Sequence, residues 1–218
     1  DNYFSPNNDG NKDFLFIEHK DINKDAKWDL EIRYNGSPVF RKHYDGKPDM
    51  ALKWDGKNED GKLLPDGKYE YMIRAFDKAG NRWETRIPDI IIDTKVPTVK
   101  AVAGDNYFSP NNDGIKDTIT VEQQVSKEAD WTGEIINEQG ETVRSFSWQK
   151  TPPNLMKWDG KDNSGKVLPD AKYTYRIKGT DRAGNKTEQV LATLIIKNKK
   201  PEVETVVREM YFSPNQDG

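Results

Sequence analysis

The sequence predicts an all-β chain of sandwich domains in tandem. Three observations predict it: a long internal repeat, short alternating segments between turn signals, and no helical periodicity in either copy. Residues 1–10, DNYFSPNNDG, recur unchanged at 105–114. Trp54-Asp55-Gly56-Lys57 returns as Trp158-Asp159-Gly160-Lys161, and Leu64-Pro65-Asp66 as Leu168-Pro169-Asp170. Asp77-Lys78-Ala79-Gly80-Asn81 returns as Asp181-Arg182-Ala183-Gly184-Asn185. Every pair is spaced by 104 residues, and a third copy opens at 211–218 with YFSPNQDG. That period exceeds the ~20–50-residue units of solenoids and propellers and fits an immunoglobulin-type sandwich of about 100 residues. The expected fold class is therefore all-β, as tandem immunoglobulin-like β-sandwiches.

Prolines set the phase of the repeat. Residues 90–97, IIIDTKVP, read as a last strand followed by a stiff linker, because Pro97 fixes its own φ and biases Val96 toward extended backbone. The counterpart ends at Pro201. The expected units are 1–96, lacking its first strand, then 97–200, then 201–218 as the start of a truncated third repeat. On this division residues 202–218 are an orphan first strand. Such a strand is expected to seek an open sheet edge in trans, giving strand-swapped self-association.

Within the first unit, segments 29–34 and 39–44 flank Asn35-Gly36, a type I′ hairpin signal. In the second, 117–125 alternates apolar with polar residues, as a half-buried strand does. Segments 131–136 and 142–148 flank a turn at 137–140, 155–158 is a short strand, and 173–179 and 186–196 complete the set. Six or seven short strands per copy is the sandwich pattern.

Composition narrows the function. Of 218 residues, 33% are hydrophobic and 33% charged, yet 11% are aromatic, with six Trp and nine Tyr. Disordered chains are poor in aromatics, so these point to folded modules with thin cores. Net charge is -3, with 34 Lys+Arg set against 37 Asp+Glu and both signs interspersed. No field of one sign exists to hold nucleic acid, which is excluded as an expected partner. No apolar run approaches the ~20 residues of a spanning helix, so direct membrane insertion is not expected. With no cysteine, disulfides, thiolate metal sites and Cys nucleophiles drop out. Neither an initiator Met nor a signal peptide precedes Asp1, so the chain reads as a mature or excised segment.

One motif offers chemistry. Residues 5–13, SPNNDGNKD, follow the front of an EF-hand-type calcium loop, which takes oxygens at positions 1, 3, 5, 7 (by carbonyl) and 9 and turns on Gly at position 6. The candidate ligands are Ser5, Asn7, Asp9, the Asn11 carbonyl and Asp13, and in the second copy Ser109, Asn111, Asp113, the Ile115 carbonyl and Asp117. The Asn11-to-Ile115 exchange spares a carbonyl ligand and would destroy a side-chain one. However, Phe16 and Thr120 stand where a bidentate Glu belongs. The competing reading is an Asx-rich turn whose side chains cap backbone amides. Calcium is the only cofactor the sequence suggests.

The remaining motifs read as architecture. Residues 54–69 and 158–173 are turn-rich crossovers with Trp54 and Trp158 as core anchors. The Asp-x-Ala-Gly-Asn segments read as tight hairpins with no further role. His19 and His43 are replaced by Gln123 and Ser147 in the second copy, so a repeated catalytic base is absent. No Gly-x-Ser-x-Gly elbow occurs, and nothing assembles a nucleophile with a base and an orienter. The expectation is a non-enzyme.

The Trp54–Tyr71 and Trp158–Tyr175 blocks resemble the immunoglobulin-like domain of the bacterial flagellar hook-capping protein. Phe-Ser-Pro-Asn-Asn-Asp-Gly with an Asp three residues on resembles the opening of gliding-motility-associated C-terminal domains of surface proteins. The Asp-x-Ala-Gly-Asn turn and the Asp-Thr-x-x-Pro linker are similar to those of tandem bacterial surface modules. These resemblances imply an exported protein, at the cell surface, extracellular or periplasmic, with no catalytic residues. The expected function is a structural spacer or adhesive module whose partners are the neighbouring immunoglobulin-like domains of its own chain. The alternatives are an adhesin that binds host protein or glycan through Trp83 and Trp148, and a hook-cap-like assembly scaffold.

Overall fold

The computed structural model describes residues 2–20, 22, 24–127 and 129–206, and every regular element among them is a β-strand. The third-copy motif at 211–218 and most of the orphan segment lie outside the described residues. Each repeat is a pair of facing sheets. In the first repeat β1 (Tyr3–Phe4), β3 (Ala26–Tyr34), β4 (Ser37–Asp45), β6 (Gly67–Asp77) and β7 (Arg82–Ile92) form one sheet in the order β1-β7-β6-β3-β4. Facing it, β2 (Leu15–Glu18) pairs with β5 (Ala51–Trp54).

The second repeat repeats this plan. Strands β9 (Tyr107–Phe108), β11 (Ala129–Ile136), β12 (Thr142–Trp148), β14 (Ala171–Asp181) and β15 (Lys186–Ile196) make the sheet β12-β11-β14-β15-β9. The facing sheet has three strands, β8 (Val99–Ala103), β10 (Ile119–Val125) and β13 (Leu155–Trp158), in the order β13-β10-β8. Ladders are antiparallel except β1 on β7 and β9 on β15, which are parallel. Strands cross between sheets as in an immunoglobulin-like sandwich.

Alternation places one face of each strand inside. Strand β14 buries Tyr173, Tyr175, Ile177 and Gly179 while the residues between them stay partly exposed. Trp54 and Trp158 are fully buried, and each indole N–H donates to a carbonyl three residues on, Lys57 O and Lys161 O, both at 2.9 Å. Each Trp sits between a Phe (Phe4 or Phe108) and a Tyr (Tyr69 or Tyr173), with ring centroids 5.3–5.5 Å apart. Tyr69 and Tyr173 donate their hydroxyls back to Pro65 O and Pro169 O at 2.6 and 2.9 Å, the tyrosine corner of this fold. The buried cluster of the first repeat and those of the second share no residue, so each repeat closes its own core.

Two of the sequence motifs meet in space. Gly56 and Gly160 have φ of +72° and +71°, and a Cβ there would stand 2.8 Å from Pro6 Cγ and 2.6 Å from Pro110 Cγ. The Trp-Asp-Gly turn and the Phe-Ser-Pro segment are thus two sides of one contact, which only glycine admits.

Strand limits follow the availability of partners. Strands 142–148, 155–158 and 186–196 stand where the sequence places them. Strand β3 starts at Ala26, ahead of the expected residue 29, because Ala26 finds Asp77 opposite it. Strand β10 reaches Val125 along β8, whereas its copy β2 stops at Glu18, with no strand on its other edge among the described residues. The Asn35-Gly36 turn has φ of +48° and +77°, as a type I′ hairpin requires.

Buried His19 ties the sheets together. Its Nδ1–H donates to Asp49 O at 2.7 Å, since a carbonyl only accepts, and its Nε2 is hydrogen-bonded to the Tyr71 hydroxyl at 2.6 Å. In the second repeat Gln123 takes the same place, donating to Pro153 O and accepting from Tyr175 at 2.7 Å. Burial pushes both tyrosine hydroxyls far above the usual phenol range, which keeps them protonated donors. Trp148, expected on the surface, is instead partly buried over Gly133, where a Cβ would meet its ring at 2.7 Å. Trp83 is 53% exposed, as expected.

Candidate interaction site at the junction of the repeats

The loop at residues 5–13 is shaped by its own side chains. Asp13 accepts the Asn8 and Gly10 N–H groups at 2.7 and 2.8 Å, one on each carboxylate oxygen. Asp9 accepts the Asn11 N–H at 2.8 Å and the Asn7 side-chain amide at 3.1 Å, while the Asn7 side-chain carbonyl accepts the Asp9 N–H at 3.1 Å. Residues 109–117 repeat every one of these bonds through Asp117, Asp113 and Asn111. The Asx-turn geometry read from the sequence is therefore present twice. The Ile115 N–H, and then the Asn111 amide, hold the Asp113 carboxyl below its usual range.

The candidate calcium ligands lie within one loop, where the polar side chains among them already have partners. Ser5 is fully buried and donates its hydroxyl at 2.6 Å to Asn185 Oδ1 of the second repeat. Ser109 donates at 3.0 Å to Asn198 Oδ1 in the segment that follows β15. The Asn11 side chain donates to Gly184 O at 2.5 Å, while Ile115 is 71% exposed. Among the described residues no group of three or more His, Asp or Glu side chains is placed to hold a metal ion.

What the first loop does hold is a hairpin. The turn at 181–185, between β14 and β15, inserts beside residues 5–12. Asn185 is fully buried at its centre. Its Oδ1 accepts from Ser5 and, at 3.3 Å, from the Asn7 amide. Its Nδ2 donates to Asp93 O at 2.8 Å and to Asp181 Oδ2 at 2.9 Å. Lys12 Nζ reaches Arg182 O at 2.7 Å, and the Arg182 guanidinium lies 4.0 Å from the centre of the Tyr3 ring. Ala183 and Gly184 are buried in the same contact. One Asn side chain thus bonds the first loop, the linker and its own hairpin together.

Electrostatics at the linker are mildly unfavourable to charge. Burial pushes the Asp93 carboxyl above its usual range, and the neighbouring Asp181 and Asp66 carboxylates add to this against the opposing Lys95 N–H. The linker is also anchored at Thr94, whose N–H and hydroxyl both donate to Asp66 Oδ1, at 3.0 and 2.9 Å.

The hairpin's place at the junction is not legible in the sequence, since a tight turn accounts for each of its residues locally. Its copy supplies the internal comparison: Ala79, Gly80 and Asn81 are exposed where Ala183, Gly184 and Asn185 are buried. The available signal was the return of Asp-x-Ala-Gly-Asn after 104 residues with only its second position changed.

Comparison with known proteins follows the same division. The family described as CHU_C Type IX secretion signal domain matches residues 1–87 and again 102–193. This bears out the resemblance to gliding-associated C-terminal domains. Curated relatives include the C5a peptidase of Streptococcus pyogenes, 32% identical over 121 residues; the match takes 45% of this chain and 10% of the relative, so the chain spans about a tenth of its length. Among solved structures, fibronectin(III)-like modules of Clostridium thermocellum CbhA align over 94% of both chains at 12% identity and a TM-score of 0.43. A tetra-tandem repeat from the extending region of a large adhesion protein aligns over 85% of this chain and 45% of that one, at 16% identity and a TM-score of 0.41. A Ca2+-stabilized ice-binding adhesin of an Antarctic bacterium covers 84% of this chain and 43% of its own, at 16% identity and a TM-score of 0.37.

Proposed function

The chain belongs to the CHU_C type IX secretion signal domain family, matched once in each of its two repeats, and from that premise we propose that it is a non-enzymatic structural spacer of an exported bacterial protein. Its units are 1–96 and 97–200, with residue 201 opening a further repeat. Successive units are held at a fixed angle by the Asp-x-Ala-Gly-Asn hairpin of one seated on the Ser-Pro-Asn-Asn-Asp-Gly loop of the one before. The observation that carries this reading is the buried Asn185 side chain, bonded at once to Ser5, Asn7 and Asp93. A flexible tether would leave those groups to water. Relaxation of backbone 15N spins in the intact chain tests it. The expected outcome is one rotational correlation time for both repeats, and independent tumbling would refute the stiff spacer.

Calcium has a defined place in this proposal, at Ser5, Asn7, Asp9, Asn11 and Asp13 and at their second-copy equivalents. Every carboxylate oxygen there already accepts an N–H, so a cation would share those oxygens and add a modest restraint to a loop that has its shape without it. Calorimetric titration of the wild type against an Asp9→Asn/Asp113→Asn double variant decides the point. Heat in the wild type that the variant lacks supports calcium, and equal traces dismiss it.

A second reading, adhesion to a protein or glycan, is supported by the exposure of Trp83 alone. Unchanged binding to a host surface by Trp83→Ala would dismiss it.

A further inference from the structure

The two loops share one backbone and differ in where their side chains are directed. Asn8 and Asn112 both have φ of 65°, Lys12 and Lys116 both have 53°, and the bonds to Asp13 and Asp117 are the same. In the first loop Ser5, Asn7, Asn11 and Lys12 all donate across the junction, to Asn185 Oδ1, Gly184 O and Arg182 O. In the second loop Ser109 donates instead to Asn198 Oδ1 at 3.0 Å, and Lys116 is ion-paired with Asp105 of its own repeat. Ile115 stands in the place of Asn11 and has no side-chain donor to offer.

The difference at the serine originates in the linkers. Thr94 and Asn198 are equivalent positions, 104 residues apart. Their N–H groups are anchored alike, to Asp66 Oδ1 at 3.0 Å and to the Asp170 carboxylate at 2.9 Å. Equal anchoring of the backbone leaves the side chain as the variable. The Thr94 hydroxyl returns to Asp66 at 2.9 Å and so leaves Ser5 to Asn185. The longer Asn198 side chain brings its own Oδ1 to Ser109. A serine hydroxyl carries one hydrogen, so an acceptor from the linker and an acceptor from a hairpin exclude one another there.

We propose that two positions, 94 or 198 in the linker and 11 or 115 in the loop, decide whether a loop seats the hairpin of a neighbouring unit. Thr94 and Asn11 make the first loop a socket for the Asp-x-Ala-Gly-Asn hairpin. Asn198 and Ile115 close the second loop against one, because the serine is already engaged and the amide that would meet the hairpin carbonyl is missing. One fold thus supplies a stiff joint or a free joint by two side chains. This inference rests on the spacer reading, whose stiff joint it explains.

Backbone 15N relaxation of the intact chain tests it through Thr94→Asn, which copies the second linker into the first. The new side chain offers Ser5 the acceptor that Asn198 offers Ser109, and the same backbone carries Asn at position 198, so the fold accepts it. The wild type is expected to tumble as one body and Thr94→Asn as two. Thr94→Val, which loses the hydroxyl without adding an acceptor, is expected to tumble as one. In the Thr94→Asn background, Asn185→Ala should lose no more stability than Asn81→Ala does, because Asn185 no longer meets Ser5. A wild type that already tumbles as two bodies overturns the spacer reading and this inference with it. A wild type and a Thr94→Asn chain that both tumble as one, a Thr94→Val chain that separates, or an Asn185→Ala loss that is equal in the two backgrounds overturns this inference alone.

Discussion

Replacing Asn185 by Ala is the sharpest probe of the junction, because the same hairpin exists nearby without it. The substitution removes two acceptor bonds, from Ser5 and Asn7, and two donor bonds, to Asp93 O and Asp181. It leaves the Ser5 hydroxyl and the Asp93 carbonyl without this partner in a site that water reaches only in part. An orphaned buried polar group costs about 1–3 kcal/mol, and two with partial access of water to the site sum to roughly 2–4 kcal/mol. The Asp181 bond belongs to the hairpin itself. Asn81, which holds Asp77 in the same way at 2.7 Å but is exposed, calibrates that share. The quantity to measure is therefore the loss of unfolding free energy in Asn185→Ala minus that in Asn81→Ala, by urea denaturation of the full chain followed separately in each repeat. A difference of roughly 2–4 kcal/mol corresponds to a population shift of about 30- to 700-fold at the junction. Relaxation should then report two independently tumbling repeats. If the two variants lose the same stability to within about 0.5 kcal/mol, the range of ordinary surface substitutions, and tumbling is unchanged, the junction does not hold the repeats and the reasoning fails.

Three further outcomes follow from individual contacts. Gly56→Ala combines a positive φ with a 2.8 Å overlap on Pro6 and should lose about 2–3 kcal/mol of first-repeat stability in denaturant melts, whereas Gly61→Ala, with the same sign of φ but open space, should lose about 1 kcal/mol. His19→Gln should change stability by less than about 1 kcal/mol, since Gln123 makes the same pair of bonds, while His19→Ala orphans the Tyr71 hydroxyl and should cost about 2–3 kcal/mol. Acid should act on the second loop and the linker in opposite senses, as amide exchange against pH would show. The lowered Asp113 pKa stabilises its loop above the unfolded carboxylate range and is lost as pH falls through the folded value; the raised Asp93 pKa favours the folded linker below the unfolded value and is lost as pH rises through the folded one.

The sequence by itself determined the repeat, the all-β class and most strand positions, because alternation and turn residues act over a few neighbours. Asn35-Gly36 encodes its hairpin within two residues, and Trp54 and Trp158 mark their cores by size alone. It also determined the shape of the 5–13 loop, since Asp9 and Asp13 find their donors two to five residues away. Tertiary structure decided what that loop touches. Ser5 and Asn185 are 180 residues apart and identical in type to Ser109 and Asn81, so no local signal distinguishes the two that meet each other from the two that bond elsewhere. Local chemistry writes the elements, whereas burial is a property of whatever is packed against them, and that is settled only when distant segments meet.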